Sequence, residues 1–176
     1  MRRAYHLVPV LLISLTTSCT RIQQARDSHL GTEPGGRKPS QSPIAKSGRG
    51  TPDEAKAMLA QAIEHYNSVG RTQALADFTE KKAPFSDRDL YVFCISADGR
   101  TTANGGFPQY VGTSVDPLKD ADGKPLGRRI LEVASNGEGT VDYRWINPVS
   151  HQMERKIAFA KKVGKDICGV GAYNPE

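Results

Sequence analysis

Histidine is scarce in this chain and scattered. His6, His29, His65 and His151 stand far apart, and no two have the spacing of metal ligands. Each is expected to be a solvated residue, and no metal centre is expected. No Cys-x-x-Cys pair and no Gly-x-Ser-x-Gly turn occurs, which removes dithiol redox chemistry and the nucleophile of the α/β-hydrolases. Gly137-Glu138-Gly139 is an isolated turn, short of a phosphate-binding loop. The run from Asp116 to Gly123 resembles a calcium loop only faintly. Leu118 and Arg129 stand where an EF-hand would need acids, so it reads as an Asp-rich turn. Neither a catalytic role nor a cofactor is expected.

Long apolar runs are missing after the N-terminus, so the body of the chain is not expected to span a membrane. The formal charge is +5, but it is unevenly spread. Residues 1–50 hold eight Lys and Arg against two Asp and Glu; the rest holds 16 against 17. The folded part is close to neutral. Nucleic-acid binding needs a basic face on the folded module and is not expected.

The first 19 residues have the layout of an export signal. Arg2 and Arg3 precede a short apolar run from Leu7 to Leu15, and Thr16, Thr17 and Ser18 lead to Cys19. A cysteine straight after small residues resembles the processing site of bacterial lipoproteins, whose cysteine is lipidated and becomes the mature N-terminus. Thr16 stands where those sites favour Leu. The reading is an exported, periplasmic chain held to a membrane by lipid at Cys19. Cleavage without lipid and an uncleaved anchor are the alternatives. Residues 20–50 are rich in Gly, Pro, Ser, Gln and Arg, as in GTEPGGRKPSQSP, and cannot bury enough surface to fold. They read as a disordered tether whose ends lie roughly 30 Å apart.

The domain is expected over residues 51–176. Thr51, Pro52 and Glu54 form a capping box at the start of a helix. Ala55, Met58, Leu59, Ala62, Ile63 and Tyr66 then recur at helical spacing, and Gly70 stops the pattern. A short helix holds Ala74, Leu75 and Phe78. Strand patterns follow over 90–96, 101–104, 141–146, 153–163 and 167–173, separated by Asp98-Gly99, Asn147-Pro148 and Gly164-Lys165 turns. A Gly-, Pro- and Asp-rich connection and a helix over 126–134 lie between the second and third strands. The class is α+β, with a five-stranded antiparallel sheet.

One combination suggests a binding site. Tyr143 and Trp145, two apart on a strand, point to one face, and Lys156 on the next strand approaches it. Aromatic walls that exclude water strengthen a cation's attraction for a carboxylate. The other reading is plain core packing, with Lys156 reaching out to solvent. Cys94 and Cys168 both lie in strand patterns; they form either a disulfide, which an exported chain permits, or two small buried hydrophobes.

The pieces LYVFCISADG, NGGFPQYVG, KDADGKPLG, GTVDYRWINPVS, RKIAFAKKV and CGVGAY, in this order from about Ala55 to Tyr173, resemble the single Cache domain. That module is the extracytoplasmic sensor of bacterial chemoreceptors and kinases. The resemblance implies a PAS-like five-stranded sheet led by a long helix, with a pocket between the sheet and the long loop after the second strand. It implies a small organic acid such as pyruvate, acetate or propionate as ligand. It assigns Tyr91, Tyr143, Trp145 and Lys156 to the family's aromatic and basic positions. Asn104 stands where relatives often carry His, and Phe159 where they often carry Tyr. First and last strands are neighbours in such a sheet, which favours a Cys94–Cys168 bond. The sequence ends three residues after Tyr173, so the expectation is a binding protein that serves a separate receptor, kinase or transporter. An envelope lipoprotein with a filled pocket, acting in structure or protein contacts, is the alternative.

Overall fold

The computed structural model describes residues 48–174. The export signal, Cys19, His6, His29 and the tether as far as residue 47 lie outside the described residues. Helix α1 runs over Pro52–Val69. Thr51 Oγ1 accepts from the Glu54 N–H at 3.2 Å, and the Glu54 carboxylate accepts from the Thr51 N–H at 2.9 Å. This reciprocal cap satisfies two backbone donors that a helix start leaves without partners. Gly70, at φ 84°, adopts a backbone that side-chain-bearing residues disfavour and turns the chain into α2, Arg71–Thr79.

The strands are β1 (Ser86–Asp87), β2 (Leu90–Ser96), β3 (Thr101–Asn104), β4 (Glu138–Ile146), β5 (Met153–Val163) and β6 (Asp166–Asn174), with α3 (Leu126–Ala134) before β4. All pair antiparallel in the order β1-β2-β6-β5-β4, and β3 also pairs β2. This is the PAS-like α+β layout. The sheet has six strands where periodicity gives five. The extra one is the two-residue β1, which joins Ser86 to Tyr91 and Asp87 to Leu90; two residues are too few to show an alternation. Strand β4 also starts at Glu138, three residues before the pattern at Val141, because the exposed Glu138 and Thr140 lack the apolar alternation that marks a strand.

Both faces of the sheet are covered. Leu90, Val92, Cys94, Cys168, Val170 and Ala172 pack under α1 and α2. Tyr91, Phe93, Ile95, Val141, Tyr143, Ala158 and Ala160 face the other way, toward α3 and the long loop. The period-two alternation of β2 divides its side chains between these two cores, and burial on both sides explains its nearly continuous apolar sequence. Cys94 and Cys168 are register partners on β2 and β6 and are bonded to each other, with Cα atoms 4.0 Å apart.

Two sequence expectations change here. His65 is not a solvated residue: its Nε2 lies 2.8 Å from Asp77 Oδ2, and its ring packs on Phe85 with centroids 4.6 Å apart. Arg49 and Gly50, assigned to the tether by composition, pack on the domain. The Gly50 N–H donates to Asp89 at 2.7 Å, and the Arg49 guanidinium forks onto the Glu154 carboxylate. The Asp-rich loop is a turn built on Asp120, whose Oδ1 accepts from the N–H groups of Asp122 and Lys124.

Candidate functional site

A cavity of about 50 Å³ opens between the sheet and the loop that follows β3. Holding one water takes on the order of 10–15 Å³, so the space suits a few waters or a short organic molecule. Its floor is Tyr91, Phe93, Tyr143 and Trp145 from β2 and β4, and its far wall is Val115, Leu118, Leu126 and Ile130. Polar groups enter from Thr101, Asn104, Tyr110, Thr113 and Ser114. Among the described residues, no carboxylate and no cation belongs to the lining.

The floor is shaped by β6. Gly169 and Gly171 face the cavity side, and larger neighbours occupy the space their missing side chains leave. Phe93 lies across Gly169, and the Lys156 arm lies across Gly171. The Lys156 side chain is thereby laid along the sheet with no exposed surface. Its Nζ sits 3.8 Å from the centroid of the Tyr91 ring and 4.3 Å from that of Tyr173. It donates to Tyr173 Oη at 3.2 Å, and Tyr173 Oη donates to the Ile146 carbonyl at 2.8 Å. Tyr91 Oη lies 3.3 Å from Tyr173 Oη. A hydroxyl chain therefore links the buried amine to a ring of the cavity floor.

Among the described residues, no carboxylate lies within ion-pair distance of Lys156. Burial pushes its pKa well below the ordinary lysine value, and the more distant Asp89 charge opposes that shift. The two ring faces also favour the ammonium. Burial pushes the Tyr91, Tyr143 and Tyr173 phenols well above their ordinary value. All three keep their protons; that of Tyr173 goes to the Ile146 carbonyl, so Tyr91 and Tyr143 are the phenols that face the cavity with a proton to donate.

Asp89 ties this site to the start of the domain. It is buried, accepts from the Gly50 N–H, and accepts from Asn147 Nδ2 at 3.1 Å. Asn147 Nδ2 also reaches Glu154 at 3.2 Å, and Ser150 Oγ donates to Glu154 at 2.5 Å. Arg49, Ser150 and Asn147 hold the Glu154 carboxyl down to about 2.

Of the residues singled out from sequence, Tyr91, Asn104, Tyr143 and Trp145 line the cavity. Lys156 does not; its amine lies behind the Tyr91 ring. Asn104 uses its Oδ1 to accept from the N–H groups of Gly106 and Phe107 at 3.1 and 2.8 Å, and so shapes the loop that closes the site. Phe159 points to the helix face instead, with Lys56 Nζ 5.0 Å over its ring. Sequence reasoning passed over Tyr173, Asp89, Phe107 and Tyr110. Phe107, Tyr110 and Trp145 pack with ring centroids 6.1–6.3 Å apart at the edge of the cavity. The aromatic pair in FPQY was the available signal for two of them, and the alternation in CGVGAY for Tyr173. Asp89 gave none, being one acid among several in a turn.

Comparison with known proteins fits this geometry. The family model for single Cache domain 2 matches residues 44–171. A methyl-accepting chemotaxis protein from Vibrio parahaemolyticus superposes with a TM-score of 0.59 at 17% identity, over 69% of this chain and 86% of that one. A periplasmic sensor domain of a chemotaxis protein gives 0.56 at 22% identity, over 69% and 95%. A Cache chemosensory domain described for carboxylic acid recognition gives 0.52 at 23% identity, over 69% and 86%. A search of curated protein sequences found no match. Among the described residues, no helix is long and apolar enough to cross a membrane.

Proposed function

Since this chain belongs to the single Cache domain family, whose members are extracytoplasmic small-molecule sensors rather than catalysts, we propose that it senses a small organic acid. One observation carries this reading. Lys156 is a fully buried amine with no carboxylate beside it, next to a ring-walled cavity. Burying an ammonium without an anion is costly, and an acid entering the cavity supplies the missing charge. The neighbour described for carboxylic acid recognition supports the same class.

In this account, Lys156 supplies the positive field. Tyr91, Tyr143 and Trp145 shape and dry the cavity, and the Tyr91 hydroxyl, 3.3 Å from the Tyr173 hydroxyl that accepts from the amine, connects the amine to the cavity. Asn104 sets the loop that covers it. Lipid at Cys19 would hold the domain at a membrane, and a separate receptor, kinase or transporter would read its occupancy. Support for these two points comes from the leader sequence and from the sensory role of the family.

A thermal-shift panel on the full chain tests the ligand class, with acetate, propionate and pyruvate against glycine and a dicarboxylate. The short monocarboxylates are expected to raise Tm. A panel with no acid-dependent shift would favour a filled pocket and a role in protein contacts.

A further inference from the structure

Behind the far wall of the cavity stands a charged pair that does not meet. Asp120 lies in the loop after β3, and Arg129 lies on α3. The Asp120 side chain is 1% exposed. Its Oδ1 is taken by the N–H groups of Asp122 and Lys124. Its Oδ2 faces Arg129 Nη1 at 3.5 Å. Both atoms are enclosed, and among the described residues neither has a hydrogen-bond partner. A hydrogen-bonded carboxylate and guanidinium close to about 2.7–2.9 Å, and a buried charged atom left without a bond is costly. The pair therefore stands short of the distance it favours.

The segments that carry these two charges also carry the cavity wall. Leu118 lies just before Asp120, and Leu126 and Ile130 lie on either side of Arg129. Residues 118–126 form one closed strap. The Leu126 N–H donates to the Leu118 carbonyl at 2.9 Å, and the Asp120 N–H donates to the Lys124 carbonyl at 3.0 Å. The Ala121 N–H reaches the Arg144 carbonyl of β4 at 3.1 Å. Arg129 Nη2 donates to the Asp142 carbonyl of the same strand at 3.2 Å. Before the strap, the loop is already in contact with the helix: a Cβ at Gly127 would lie 2.4 Å from the Val115 carbonyl oxygen. A shift that brings Asp120 onto Arg129 is thus left to the strap, and it moves Leu118 with it.

Wall side chains beside an empty space lack atoms to pack on, and a ligand shifts an equilibrium only by binding one state better than the other. A molecule in the cavity gives Leu118 and Ile130 something to close upon. We propose that Asp120 and Arg129 form a clasp on the ligand cavity, which shuts over a bound acid and slows its release. Closure over an acid rests on the small-acid reading above; the clasp between strap and helix does not.

Amide hydrogen exchange of the full chain over residues 118–126 tests it, with and without propionate. Asp120→Asn keeps the Oδ1 acceptor of the turn but sets an amide N–H group against the guanidinium. Arg129→Gln breaks the pair from the other side and leaves the Asp120 turn intact. Without ligand, each variant should exchange about threefold faster over the strap, and the double variant no faster than the faster single one. Propionate should slow strap exchange about tenfold in the parent and about twofold or less in either variant. Trp145 is the only tryptophan and lines the cavity. Its stopped-flow fluorescence should show propionate leaving either variant about tenfold faster than the parent. Parent-like strap exchange in both ligand-free variants would overturn the clasp, whether or not an acid binds. Additive effects in the double variant, or parent-like release from both single ones, would overturn it too. A parent whose Tm and Trp145 fluorescence ignore propionate would overturn closure over that acid together with the reading beneath it, and the ligand-free comparison then decides the clasp alone.

Discussion

A Cβ at position 171 would lie 2.2 Å from Lys156 Cε, so the bare backbone of Gly171 is what lets the Lys156 arm lie flat across β6. The substitution Gly171→Ala should lift that arm and move the amine off the Tyr91 ring. We expect ligand affinity to fall at least tenfold. Overpacking should lower stability by about 1–3 kcal/mol. Titration and denaturation of the same variant separate the two effects. Wild-type affinity in Gly171→Ala would show that the position of the amine does not matter for binding.

Lys156 should cost the empty domain stability. A fully buried amine costs free energy whether it stays charged or gives up its proton to remain buried, and an apolar side chain of similar length carries no such cost. Lys156→Met should therefore raise the urea midpoint of the ligand-free chain and lose the acid-dependent shift in Tm. A variant that is destabilised yet still binds acids would mean that the amine serves packing alone.

Much of this fold could be read from the sequence, for a physical reason. The capping box at Thr51, the stop at Gly70 and the alternation in β2 are local signals, and local physics decided them. Tyr143 and Trp145 were legible as cavity residues because period two puts them on one face. The placement of Lys156 was only half legible. Its strand face followed from spacing, but its concealment behind Tyr91 depends on glycines of β6, a strand apart. Asp89 and Tyr173 were missed because their roles arise from contacts with Gly50, Asn147, Ile146 and Lys156, all distant in sequence. The ion pair of Arg49 with Glu154 joins residues 105 apart, and no local pattern announces it.

Glu154 predicts an acid limb in the stability profile. Its carboxyl is held down to about 2 from an ordinary 4.5, first by the Arg49 hydrogen bonds and then by Ser150 and Asn147. The unfolded chain binds the proton more readily, so the stabilisation is fully present above about pH 4.5 and is lost as pH falls toward about 2. Glu154→Gln should flatten that part of the profile. It should cost about 1.5–3 kcal/mol at neutral pH, the usual worth of hydrogen bonds to a charged group. Denaturation midpoints across this pH range check it, and an unchanged acid limb would show that the contact adds nothing to stability.

The Cys94–Cys168 bond spans 74 residues of sequence, and closing a loop of that size constrains the unfolded chain substantially. The paired change to Ala should cost about 2–4 kcal/mol, measured by denaturation. Because both sulfurs lie on the helix face, away from the cavity, ligand affinity should change less than twofold. A large loss of affinity would place the bond in the binding mechanism.

The most direct test of a buried amine that awaits an acid is calorimetry of the full chain with acetate, propionate and pyruvate. It should be run at neutral pH in two buffers of different ionisation enthalpy. Burial lowers the Lys156 pKa, and a carboxylate in the cavity, across the Tyr91 ring from the amine, favours the charged form. Binding should therefore take up protons, affinity should weaken as pH rises, and Lys156→Met should abolish the heat. Failure of every short acid to bind, or equal affinity in Lys156→Met, would contradict the account.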